Sequence, residues 1–326
     1  MNLIFFDLEG PLSPQDNAYE LMKLFPDGDR VFEVISRYDD LLALEGREGY
    51  EPGDTLALIV PFLIHHSISE DDIGRLAERA TLVDGARELI MSLKDWQVFC
   101  ISTSYEQYAS RISQRVGISG EKLACTRFPL DRYRNLVSKE DLALMEEIEQ
   151  EILAMKPEDE ESMKKRLDRF FWLEMSEKSL GVALREVKPM GGQRKVEALK
   201  GFARAYDQSP GQVVVVGDSI TDARMLEVVN SAGGLAIAFN ANEYALPYAT
   251  MGLASTNLGD LKAALDAWQE GGRRAVEKVV TEKERAGAAG DRENFHWLVG
   301  REELEGPLKI HQRIRRLVRE EAGKLG

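Results

Sequence analysis

Residues 213–222 read VVVVGDSITD. The run ahead of Gly217 is brief, apolar and unalternating, which is how a strand buried on both faces of a parallel sheet reads. Three other runs share that form: LIFF at 3–6, QVFCI at 97–101 and LAIAF at 235–239, with Leu253 and Ala254 opening a short fifth. Helical spacing falls between them, at 85–93 before the second strand, 105–115 after it, 193–205 before the third and 222–229 after it. Strands alternating with helices predict an α/β fold, a Rossmann-like core with a parallel sheet.

Two stretches break the alternation. Residues 16–80 are mostly helical in pattern, and residues 127–187 are helical and highly charged, with Phe170, Phe171, Trp172 and Leu173 as apolar material to bury. The core is therefore expected from 1–15, 81–126 and 188–265, with helical insertions at 16–80 and 127–187 and a helical tail at 266–326. The charge runs of the second insertion read as solvated helix faces.

The 326 residues carry 56 acidic against 42 basic side chains, a formal net charge of −14, which argues against a nucleic-acid partner. Two cysteines, Cys100 and Cys125, make a disulfide framework implausible and suggest a reducing compartment. The longest apolar stretch, LALIVPFLI at 56–64, is about half of the roughly 18–20 residues that a membrane span needs. MNLIFFDLEG has no basic region and meets an acid at Asp7, so no signal segment is read there. The expectation is a cytoplasmic protein without a membrane span.

The chemistry sits at strand ends. Asp7 follows LIFF directly, with Glu9 two residues on, and Asp218 follows the third strand, with Asp222 one helical turn further. The carboxyl ends of the strands form the ligand crevice of an open α/β sheet. A cluster of carboxylates there suits Mg²⁺, which takes a few carboxylates plus waters and substrate oxygens, and the cation relieves their mutual repulsion. Asp222 also reads as a helix cap, and Asp7 as a turn cap. Ser102 and Thr103 precede a helix expected near Tyr105, where hydroxyls and free N–H groups bind phosphate oxygens, or simply cap the helix. Lys195 sits early in a helix behind two glycines, placed to act as a point charge on phosphate.

Asp7-Leu8-Glu9-Gly10, Ser102, Lys195 and Gly217-Asp218-Ser219-Ile220-Thr221-Asp222 resemble, in order and context, motifs I to IV of the haloacid dehalogenase (HAD) superfamily. The resemblance implies Mg²⁺ and phosphoryl transfer through an aspartyl phosphate. It makes Asp7 the nucleophile, Glu9 the acid and base, Ser102 and Thr103 phosphate ligands, and Lys195 the charge neutralising nucleophile and phosphate. Asp7, the Glu9 backbone carbonyl, Asp218 and Asp222 would serve the metal. Family phosphatases usually carry Asp where Glu9 stands. Glu can move the same proton, but one methylene more shifts where the leaving oxygen must lie. The DLEG motif is similar to a phosphoserine phosphatase-like branch in which transfer to a small-molecule acceptor also occurs.

Insertions at these two places form caps over the site in that superfamily, which implies a small phosphorylated metabolite as substrate. Arg30, Arg37 and Arg47 of the first insertion are candidate substrate clamps. The layout also resembles archaeal HAD proteins assigned to subunit R of energy-converting hydrogenase A, which implies an accessory or assembly role as a competing function. The basic stretch IHQRIRRL at 310–317 reads as an amphipathic helix packed on the core, or as a surface for a protein partner, and a homo-oligomer is a further expectation tied to no particular residues.

Overall fold

The computed structural model describes residues 1–156, 159–176, 178–287 and 290–319. Its centre is a seven-stranded sheet of β1 (Asn2–Phe6), β2 (Trp96–Tyr105), β3 (Leu123–Thr126), β4 (Val214–Gly217), β5 (Leu235–Phe239), β6 (Met251–Ala254) and β7 (Asn294–Trp297). They lie in the order β3-β2-β1-β4-β5-β6-β7. All neighbours are parallel except β7, which runs antiparallel to β6.

The apolar runs are continuous because both faces are covered. Alternate side chains go to opposite sides of the pleat. Leu3, Phe5, Phe99 and Val215 pack against Val196, Leu199, Met225 and Val229 of the helices Gln193–Ala205 and Ala223–Ser231. Ile4, Phe6, Cys100 and Val216 belong to the larger core on the other face, which also takes in the helices of residues 16–80 and 127–187. Among the described residues no helix is long and apolar enough to cross a membrane.

The two helical stretches pack on each other as well as on the sheet. Tyr38 donates to Asp168 at 2.7 Å and accepts from the Trp172 indole at 2.8 Å, while His66 and Glu149 meet at 2.8 Å. Phe170 and Phe171 are buried as expected, but Leu173 faces solvent at 67% exposure.

Three departures from the sequence reading matter for the site. β2 continues to Tyr105, pairing again with β3 at Thr126 after a register shift, so the following helix begins at Glu106. Ser102 and Thr103 therefore lie in a strand rather than at a helix N-terminus. The stretch read as a helical tail contains β7, which pairs with β6. Its last described helix, Glu305–Arg319, packs against β6 and reaches the carboxyl end of the sheet.

Candidate active site

β1 and β4 are neighbours, with Phe6 opposite Val216, so the residues that leave their carboxyl ends meet. The Asp7 N–H donates to the Val216 carbonyl at 2.9 Å. Close approach across this seam depends on Gly10, whose φ is +100° and where a Cβ would come within 2.3 Å of the Asp218 carboxylate. Any larger residue would displace the acid.

Lys195 lies between two of the carboxylates. Its Nζ is 2.9 Å from Asp7 Oδ1 and 2.7 Å from Asp222 Oδ1, and it is fully buried. Burial opposes its charge, but Asp222 and Asp7 outweigh that and push its pKa above the ordinary lysine value. Burial raises the Asp7 pKa, and Asp222 and Asp218 add to the rise while Lys195 opposes it. Asp7 Oδ1 also accepts from the Leu8 N–H at 2.7 Å. Asp222 Oδ2 accepts from the N–H groups of Asp218 at 3.0 Å and Ser219 at 3.3 Å, so both oxygens of Asp222 are engaged within the protein.

Asp218 is held differently. Its Oδ2 accepts from Arg315 and, at 2.9 Å, from Arg319, both on the Glu305–Arg319 helix. Its Oδ1 is buried with no hydrogen-bond partner among the described residues. Asp7, Asp218 and Asp222 each bring a carboxylate oxygen within 4.8 Å of the others, an acidic cluster able to hold a metal ion.

Glu9 accepts from the Asn17 N–H at 3.3 Å and from the Ser104 hydroxyl. Burial, reinforced by Asp16, lifts its pKa to about 8, so the acid keeps a proton at neutral pH. Ser102 is fully buried within β2, where its Oγ accepts from the Ser104 N–H at 3.1 Å. Thr103 Oγ1 donates to the Met190 carbonyl at 3.1 Å.

Of these groups Asp7, Glu9, Thr103 and Asp218 border a cavity of about 130 Å³, and the fully buried Ser102, Lys195 and Asp222 lie behind its wall. Asp7, Glu9, Thr103, Asp218 and Thr221 line it from the core, and Phe32, Ser36, Asp39, Asp40, Gly53 and Thr55 line it from the first helical stretch. No residue of the second stretch does so among the described residues. The loop ahead of Thr55 is fastened to the core, with Glu51 accepting from the Gln193 N–H at 3.1 Å and from Arg224 at 3.0 Å.

Arg30, Arg37 and Arg47 are not brought to the cavity. Arg30 pairs with Asp27 at 3.3 Å, Arg37 with Glu160, and Arg47 with Asp168 at 3.2 Å while its guanidinium lies 4.4 Å from the Trp172 ring. Arg37 and Arg47 spend their charge joining the two helical stretches. Among the described residues the cations that do line the cavity are Arg315 and Arg319. Their signal in the sequence is the spacing of His311, Arg315 and Arg319, which puts three polar side chains on one helix face. Ser104, the hydroxyl partner of Glu9, has no comparable signal.

No family model matches the chain, and no curated protein does. Among solved structures it is similar to gene product AF1437 from Archaeoglobus fulgidus, at 31% identity over 100% of this chain and 99% of that one, with a TM-score of 0.87. The chain belongs to the same family as that archaeal protein. Two phosphoserine phosphatase structures share its fold. One, a phospho-aspartyl intermediate analogue, has 19% identity and a TM-score of 0.52 over 80% of this chain and 97% of that one. The other, a substrate-bound complex, has 18% identity and a TM-score of 0.52 over 80% and 96%. The fold is thus that of the HAD phosphatases, a Rossmann-like sheet with helical insertions.

Proposed function

We propose that this HAD-fold protein is a Mg²⁺-dependent phosphohydrolase of a small phosphorylated metabolite, working through an aspartyl phosphate on Asp7. The observation that carries the reading is the bridge of Lys195 between Asp7 and Asp222, beside Asp218, behind a small cavity that Asp7 and Asp218 line.

The residues fit a divalent cation. The donors are hard carboxylate oxygens, which suit Mg²⁺, and the partnerless, buried Oδ1 of Asp218 is costly without a cation or donor beside it. Asp7 and Asp218 would hold the ion. Asp222, with both oxygens engaged, fixes Lys195 and the turn after β4, and its contact with the ion would run through water. When bound, the ion supplies Lewis-acid polarisation of the phosphoryl oxygens.

The chain's own side chains then divide the work. Lys195 and the Leu8 N–H fix Asp7 Oδ1 and favour its ionised form, leaving the other oxygen to attack phosphorus in line. Glu9, protonated near neutrality, gives its proton to the leaving oxygen and then takes one from the water that cleaves the aspartyl phosphate. Ser102 and Thr103 serve the phosphoryl oxygens. The first helical stretch acts as the cap, since its residues line the cavity, and a volume of about 130 Å³ favours small substrates over phosphoproteins.

The test is turnover of an aryl phosphate, phosphoserine and a set of sugar phosphates with Mg²⁺. Asp7→Asn is expected to abolish hydrolysis. Retained turnover in that variant would remove the nucleophile assignment, and no turnover across the panel would remove the function.

A further inference from the structure

His311, Arg315 and Arg319 lie one turn apart on the Glu305–Arg319 helix and are all buried, while Arg313 and Arg316 on the same helix are exposed. The helix is seated firmly. His311 Nδ1 accepts from the Ala241 N–H at 3.0 Å, and Arg319 Nε donates to the Pro14 carbonyl at 3.2 Å. Gly252 in β6 leaves the room this needs, because a Cβ there would come within 2.7 Å of the His311 ring. A helix whose role was only to cover the sheet would present leucines, since taking a guanidinium out of water is costly unless a fixed anion repays it. Here both guanidinium groups converge on one carboxylate oxygen, Asp218 Oδ2, and both border the cavity that Asp7 borders.

The charge balance is informative. The three clustered carboxylates, Asp7, Asp218 and Asp222, face three buried cations, Lys195, Arg315 and Arg319. These six groups balance in formal charge, and the further acids Glu9, Asp16, Asp39 and Asp40 line the same cavity. At these six groups a divalent cation alone adds two positive charges in a poorly solvated place, and a phosphate dianion offsets them. Without the arginines the same carboxylates would take up a cation unaided.

We propose that Arg315 and Arg319 are anion-binding residues of the site, supplied by the C-terminal helix, which make a divalent cation and a phosphate dianion bind as a pair. The cation has Asp218 Oδ1 open to it while Oδ2 stays with the arginines. The planar guanidinium groups suit phosphate oxygens, which they can contact from the cavity wall. The inference takes its ligand class from the phosphohydrolase reading but does not depend on turnover.

Calorimetric titration of Mg²⁺ into the full chain, with and without inorganic phosphate, tests it. Cation affinity is expected to rise at least tenfold with phosphate present. In Arg315→Gln and Arg319→Gln the cation alone is expected to bind at least tenfold more tightly than to the parent protein, with the gain from phosphate correspondingly smaller. Arg319→Lys, which keeps the charge, should retain the parental coupling. Unchanged coupling in the glutamine variants, weaker binding of the cation alone, or a parent protein indifferent to phosphate would each overturn the proposal. Should the glutamine variants not fold, thermal unfolding of the parent decides. Mg²⁺ alone should raise the midpoint by less than half as much as Mg²⁺ with phosphate, and equal rises would overturn it. Coupled binding without turnover of any phosphate ester would remove the enzymatic reading and leave this one standing.

Discussion

His311 accepts a hydrogen bond from the Ala241 N–H at 3.0 Å through Nδ1, so the C-terminal helix is seated by a neutral imidazole. Burial, with a smaller contribution from His296, lowers its pKa to about 3. The unfolded chain binds this proton near pH 6.5 and the folded chain does not, so stability is full above about 6.5 and falls as pH drops toward 3. Between pH 7.5 and 5 the loss should be about 2 kcal/mol. Urea unfolding of the parent and of His311→Gln at both pH values measures it, and the difference between the two proteins should shrink in acid.

Lys195→Met removes the positive charge shared by Asp7 and Asp222. Turnover should fall by roughly 100-fold or more, in line with the loss of one charge-stabilising group. Stability should fall by about 3–5 kcal/mol, because two buried carboxylates lose their partner. Steady-state kinetics and chemical denaturation on the same preparation read both effects. A stable, fully active variant would end the role given to this lysine.

Glu9→Gln keeps the side chain's size and removes proton transfer. The loss, on the order of 100- to 1,000-fold, should be concentrated on alkyl phosphates and be much smaller for p-nitrophenyl phosphate, whose leaving group needs no proton. Ser104→Ala, which takes only the hydroxyl from Glu9, should show the same selectivity at about tenfold. Equal losses on both substrates would assign Glu9 a structural role instead.

Alanine at Arg37 or Arg47 should leave KM and kcat within about twofold, since neither side chain lines the cavity. Each should cost no more than about 1 kcal/mol, the ordinary range for partly exposed ion pairs. A large rise in KM would return these residues to the substrate.

Gly10→Ala should weaken Mg²⁺ binding and lower stability by about 1–3 kcal/mol. The added methyl meets the Asp218 carboxylate, and the backbone there sits at positive φ. Thermal unfolding and cation titration check the two effects separately.

β1, β4 and β5 are legible in the sequence because strands covered on both faces need unbroken apolar runs. β3 (LACT) and β7 (NFHW) are not: each has four residues, includes polar side chains and lies at an end of the sheet. The extension of β2 to Tyr105 depends on its pairing with Thr126, which no local pattern announces. Within the site, Asp7 and Asp218 stand out because each lies just past an apolar run, and Asp222 because it comes one helical turn after Asp218. Arg315 and Arg319 reach Asp218 only through the docking of a helix about a hundred residues downstream. The charges of Arg37 and Arg47 look available in the sequence and are consumed by partners on the second helical stretch.

The wide separation of Asp218 and Arg319 also bears on biosynthesis. Arg319 follows Asp218 by 101 residues, so at roughly 5–20 residues per second a ribosome adds it about 5–20 s later. For that interval β1 and β4 are already available to pair, with Lys195 the only one of the three buried cations yet made. The nascent chain thus passes through a stage at which its carboxylate cluster is markedly more anionic than in the finished protein. Ambient divalent ions would meet the cluster before the arginines do, and seating of the last helix is the step that brings their two positive charges to Asp218.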